Sequence, residues 1–295
     1  MAVFFGLGLI FGSFLNVCIY RLPRELSVVT PRSQCPSCGT PIAFYDNIPV
    51  LSWLILRGKC RNCGGAISPR YVFVELLTGV FFLLSYLTAG ASPEALKFCV
   101  LSFLLLGLVF TDAETKLLPD LLTKPGVVLG LLFSVFVPVE GPAAYFLHGI
   151  NVRWLWLANS LGGAILGAAF ILGIALAYEA VRGVEGMGRG DVKLMALIGA
   201  FLGVKLTLVV LLLGSLIGSA FGILLIFWVW NKRLARRRKR VPSEPARSAR
   251  RRAWRSAILI YRNFEIPFGV FLGAAALFAA FWGTAVVRWY AGFYR

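Results

Sequence analysis

Gly186-Met187-Gly188-Arg189-Gly190-Asp191-Val192-Lys193-Leu194-Met195 is the stretch from which the rest of the chain is read. Three glycines in five positions do not hold a helix, because glycine loses the most backbone freedom on ordering. Yet apolar, span-length sequence lies on both sides. Asp191 therefore falls where an irregular loop turns into a membrane helix. A carboxylate at that depth is costly unless it is solvated, paired or used. A helix N-cap, where aspartate is favoured, is the plainer explanation.

The composition supports a membrane setting. The chain of 295 residues is 59% hydrophobic with 24 phenylalanines and 8 tryptophans, well above the apolar share of a soluble domain. The aromatic residues suit lipid-facing helices with interfacial anchors. On a ruler of about 20 apolar residues per crossing, spans fall at 1–20, 71–89, 95–111, 121–138, 155–181, 191–204, 206–230 and 266–288. The fold class is thus an all-α polytopic membrane protein with about eight transmembrane helices and a small insert between the first two. The first span has no basic segment before it, and its charges follow it at Arg21 and Arg24; it reads as a retained helix rather than a cleaved signal peptide. Gly6, Gly8 and Gly12 there would let another helix come close.

Five regions follow: a first helix at 1–20, a polar insert at 21–70, a helical core at 71–230, a basic loop at 231–265 and a last helix at 266–295. With the insert on the cytoplasmic side, 25 of the 30 lysines and arginines share that side, as the positive-inside rule requires. Both termini then face outward. The run Arg236-Arg237-Arg238-Lys239-Arg240 and the arginines from Arg247 to Arg255 read as a mobile loop attracted to anionic membrane lipid. Trp254 alone interleaves with them, and no folded reader motif is present, so nucleic acid is not an expected partner.

Cys35-Pro36-Ser37-Cys38 and Cys60-Arg61-Asn62-Cys63 form two C-x-x-C pairs separated by 21 residues. Two such knuckles complete a closed tetrahedral site, and an all-thiolate donor set favours structural zinc. A region of about 50 residues is too small to build much core, so a metal would staple it. Cys18 and Cys99 lie within apolar runs and read as packing residues.

Among the 13 acidic residues, Asp112, Glu114, Asp120 and Asp191 stand out. Asp112 ends an apolar run on the cytoplasmic side and Asp191 begins one from that side. Although 79 residues apart, they lie at one membrane depth. Two close carboxylates share a proton, so that one activates water while the other donates. Asp120 follows Pro119 and reads as a cap. Glu75 lies a turn into its span, with Arg70 or a neighbouring helix as partner. Lys193 faces either the Asp191 carboxylate or lipid phosphate, and Gly188 and Gly190 would let backbone approach an extended substrate. On physics alone, a transporter with a partner-docking insert fits the isolated carboxylates too.

These residues resemble the type IV prepilin leader peptidases, membrane aspartic enzymes with a G-x-G-D motif. Gly12-Ser13-Phe14-Leu15-Asn16-Val17 with Arg21-Leu22-Pro23 is similar to the family's opening motif, and the C-x-x-C pairs to its cysteine domain. Arg70-Tyr71 with Glu75 is similar to the entry into the second span. Asp112 with Leu118-Pro119-Asp120, and Gly188-Arg189-Gly190-Asp191-Val192-Lys193, resemble the two aspartate motifs. Ile266-Pro267-Phe268-Gly269 resembles the C-terminal motif, with Val270 where the family usually has a second proline. The resemblance implies Asp112 and Asp191 as the catalytic pair, with Asp120 in support. It implies prepilin or pseudopilin substrates cut after a glycine at the cytoplasmic face of the bacterial inner membrane. It also implies N-methylation of the new terminus with S-adenosylmethionine, without assigning residues to that cofactor.

Overall fold

The computed structural model describes residues 1–143, 147, 151–183, 188–240, 245–262 and 267–293. Gly186 and Met187 of the opening stretch, the acidic residues Glu185, Glu244 and Glu265, and Ile266 and Arg295 lie outside the described residues. Within them the chain is helical, with only two isolated β-bridges, Gln34 with Pro41 and Lys59 with Ala66.

The helices are α1 Ala2–Arg21, α2 Leu51–Ile55, α3 Arg70–Ala89, α4 Pro93–Thr115, α5 Asp120–Phe136, α6 Val152–Arg182, α7 Arg189–Arg240, α8 Ala246–Arg262 and α9 Phe268–Gly292. Their ends follow local chemistry. Ser92 accepts the Ala95 N–H at the start of α4, and Pro93 fills the position where a missing N–H costs nothing. Asn151 caps α6, which stops at Gly183 in the left-handed region.

Among the described residues, six helices are long and apolar enough to cross a membrane: α1, α3, α4, α6, α7 and α9. The protein is a multi-pass membrane protein. The apolar stretches at 191–204 and 206–230 are two helical segments of α7 parted at Gly203, whose φ of 74° and ψ of 177° suit glycine alone. A Cβ on Gly167 of α6 would meet both Met195 and Thr207, so the chain reverses direction at that break. The segment at 121–138 becomes α5, only 17 residues long.

The basic region 231–265 is a further departure. α7 continues through the charges to Arg240, and Ala246–Arg262 forms a second helix. Ala249, Ala253 and Ala257, one every fourth residue, are buried, while α8 lies against α7. Trp254 packs edge-on to Trp230 with ring centroids 5.8 Å apart. The arginines occupy the remaining surface of a packed helix rather than a loop.

Close backbone approach sets the first helix pair. A Cβ on Gly8 would lie 2.6 Å from Gly79 Cα, and one on Gly12 would lie 2.7 Å from Glu75 Cα. α1 and α3 therefore touch along Gly8 and Gly12, as small-residue packing allows, while Gly6 faces open space. Leu101, Leu104, Leu105 and Leu108 of α4 and Leu194, Met195, Leu197, Ile198 and Phe201 of α7 form the centre of the apolar core. The two most deeply packed segments are thus those that end, on one side, in Asp112 and Asp191. Cys18 and Cys99 are buried apolar packing residues as expected.

Candidate active site and metal centre

Asp112 lies in the last turn of α4 and Asp191 in the first turn of α7, and both are buried, at 5% and 8% exposure. What joins them is α9, which packs against both helices. Gly269, in its first turn, sits between the carboxylates. A Cβ there would lie 2.9 Å from Asp112 Oδ2 and 3.4 Å from Asp191 Oδ1. Farther along α9, a Cβ on Gly273 would collide with Val109 of α4 at 2.4 Å. Two glycines one turn apart therefore let α9 close onto the α4 end that carries Asp112. The Val270 N–H donates to Asp112 Oδ2 at 3.0 Å.

Charges around this pair are matched. Lys193 reaches Asp120 rather than Asp191 or an open lipid-facing position: its Nζ is 2.5 Å from Asp120 Oδ1. Lys124 holds the other oxygen of Asp120 at 2.7 Å. Asp120 thus ties the start of α5 to the first turn of α7. Arg70 pairs with Glu114, two residues beyond Asp112. Gly190 packs against Leu118, where a Cβ would come within 3.1 Å, whereas Gly188 has open space beside it.

Gly269 and Val270 were not legible as site residues from charge, spacing or side-chain chemistry. The contribution of Gly269 is a missing side chain and that of Val270 is a backbone amide. The quoted Pro267-Phe268-Gly269 match is the signal that pointed to this turn.

The four insert cysteines come together, their Sγ atoms all within 4.8 Å of one another. The two knuckles repeat one pattern. Cys35 N–H donates to Thr40 O and Gly39 N–H to Cys35 O; Cys60 N–H donates to Gly65 O and Gly64 N–H to Cys60 O. Gly39 and Gly64 both take positive φ, 71° and 69°, as each turn requires. Cys35 and Cys63 Sγ are 3.9 Å apart, close to the roughly 3.8 Å edge of a zinc tetrahedron with 2.3 Å bonds. The Gly65 N–H points at Cys63 Sγ, and hydrogen bonding with Thr40 draws the Cys38 thiol down to about 6. The donor set fits zinc.

Around the knuckles, Arg61 grips Asp46 through Nε and Nη2, which holds the Asp46 carboxyl below the usual range. Trp53 donates to Ile67 O at 3.1 Å. The insert is moored to the helices by Glu75, which accepts the Val50 N–H at 2.7 Å. Glu75 also hydrogen-bonds Ser13 of α1, so it joins the insert to a neighbouring helix and does not pair with Arg70.

Comparison with known proteins finds relatives over most of the chain. Residues 7–89 match the bacterial peptidase A24 N-terminal domain, and residues 99–223 match the type IV leader peptidase family. A prepilin leader peptidase/N-methyltransferase of Aeromonas salmonicida is 35% identical over 97% of this chain and 92% of that protein. Proteins of the same name from Neisseria gonorrhoeae and Myxococcus xanthus are 37% and 40% identical, covering 74% and 84% of this chain and 80% and 69% of theirs. No solved structure matches the chain.

Proposed function

The chain belongs to the type IV leader peptidase family, and from that premise we propose a membrane aspartic endopeptidase that removes prepilin or pseudopilin leaders and N-methylates the new terminus. The observation that carries the reading is the meeting of Asp112 and Asp191 on either side of Gly269. Two buried carboxylates facing each other across a single glycine share one proton. One accepts a proton from water as its oxygen attacks the scissile carbonyl, and the other donates to the carbonyl oxygen. A proton then passes to the leaving amine. The substrate helix must unwind at the cut, since a helical carbonyl is already hydrogen-bonded, and the open side of Gly188 offers room for the extended strand.

The eight-crossing topology belongs to the same proposal. It counts α5 and the part of α7 before Gly203 as short crossings, with both termini outside and the dyad and insert on the cytoplasmic face of the bacterial inner membrane. At about 1.5 Å per residue the 17-residue α5 spans roughly 26 Å, somewhat less than a typical hydrocarbon core. A locally thin bilayer would bring a membrane-edge cleavage site within reach of water.

Cys35, Cys38, Cys60 and Cys63 would hold zinc as a closed structural site. The α7–α8 arginines would meet anionic lipid headgroups. S-Adenosylmethionine is the methyl donor this activity implies, and it supplies the electrophilic methyl group. The surface hollow at Phe278, Trp282, Ala285, Val286 and Trp289 is lined by apolar residues and does not suit such a polar nucleoside, so no residue is assigned to the cofactor.

One assay tests the reading. Purified protein in detergent is incubated with a prepilin and labelled S-adenosylmethionine, and the product's N-terminus is sequenced. A cut after the leader glycine with label on the new amine is the expected result. An intact prepilin would overturn the reading.

A further inference from the structure

The dyad is not symmetric. Asp112 sits at the carbonyl end of α4, where the helix dipole is unfavourable to a negative charge. Against it stands the opposite pole of another helix. Val270 is the third residue of α9, within the first turn, where N–H groups have no partner inside their own helix. Its N–H is 3.0 Å from Asp112 Oδ2. Asp191 lies in the first turn of α7 and feels that helix's dipole through space. A direct hydrogen bond to an ionised oxygen is the stronger and more local of these effects.

The other charges facing the pair do not reverse this order. Lys116 follows on α4 itself, and α7 presents Asp191. α9 presents only backbone and Gly269. Lys193, Asp120 and Lys124 satisfy one another, as do Arg70 and Glu114.

Building on the dyad proposed above, we propose that the Val270 N–H fixes the division of labour: Asp112 carries the charge and Asp191 keeps the shared proton. In the first step a water proton passes to Asp112 as the water oxygen bonds to the scissile carbon. The Asp191 proton passes to the carbonyl oxygen, giving a neutral geminal diol. In the second step the C–N bond breaks, Asp112 returns its proton to the leaving nitrogen, and Asp191 regains one from a diol hydroxyl. Val270 is thus a positioning residue acting through its backbone.

The position is unusually easy to test, because the family's usual residue here is proline, which has no N–H. Proline is also tolerated in a first helical turn. The experiment compares pH–rate profiles of prepilin cleavage for Val270→Pro and Val270→Ala in the full-length protein. The unaltered protein sets the baseline, and Val270→Ala, which keeps the N–H, reads the loss of the valine side chain alone. Without the N–H, ionised Asp112 keeps only the Gly269 amide of its two backbone donors, so the acid limb for Val270→Pro is expected about one pH unit higher, with roughly tenfold slower cleavage on that limb. Coincident profiles, or an acid limb moved to lower pH, would overturn the assignment. Should the proline variant fail to insert, an ester at position 270, made by incorporating the α-hydroxy analogue of valine, removes the same N–H with the side chain kept. Asp112→Asn and Asp191→Asn are run alongside. Cleavage surviving in either sinks the dyad itself, whereas an unmoved limb with both variants dead sinks only the role of Val270.

Discussion

The cysteine cluster and the aspartate pair both unite residues far apart in sequence, but they do so by different means. Each C-x-x-C turn is locally complete: two thiols, a left-handed glycine and two backbone hydrogen bonds lie within seven residues. Two copies need only meet. The aspartates have no local motif geometry of that kind. Their meeting depends on the core leucines of α4 and α7 and on a third helix that contributes neither carboxylate. A site built from repeated local turns tolerates change elsewhere in the chain. One built at a junction of long helices depends on the packing of all three.

Breaking the junction should give the largest effects. Asp112→Asn and Asp191→Asn are each expected to lower leader cleavage on the order of a thousandfold or more, as loss of one member of an acid–base pair does. Membrane insertion should persist, and product N-terminal sequencing reads the result. Substantial cleavage by either variant removes that residue from the pair. Next comes Gly269→Ala. Its methyl group would occupy the place between the carboxylates, and a displacement of about 1 Å there costs roughly a hundredfold in rate. Near-parental turnover would show that α9 does not constrain the dyad.

The insert should fail in a different manner. Stoichiometric zinc is expected to co-purify, and the double variant Cys35→Ser, Cys60→Ser should lose it. The loop between α1 and α3 should then become protease-sensitive while the helical core resists. Metal-free parent protein, measured by elemental analysis, would end the zinc assignment. The smallest effect belongs to Asp120→Asn. Its partners Lys193 and Lys124 are 41% and 68% exposed, and solvent-screened ion pairs contribute little. Cleavage should fall by less than about fivefold. A dead enzyme would mean that Asp120, not one of the buried pair, is the partner acid.

How much was readable in advance follows the same division. The knuckles were legible because turn chemistry is short-range, and the spacing of the cysteines states it almost completely. The common depth of Asp112 and Asp191 was legible from hydropathy and the charge count, yet the helix that brings them together was not. A glycine with no side chain and an amide that every residue except proline carries leave no trace in a list of reactive groups. The basic region misled for the opposite reason. Its arginines dominate the composition, while Ala249, Ala253 and Ala257, which bury one face of α8, are easy to overlook.

The position of Gly269 and Val270 after both aspartates in the chain also bears on biosynthesis. Polypeptides emerge N-terminus first, so both aspartates are made and threaded into the bilayer well before the turn that lies between them. Until residues 268–270 arrive, Asp112 lacks its amide donor and the two carboxylates lack the wedge that sets their spacing. A site assembled in this order is complete only once α9 has been made and packed against α4 and α7.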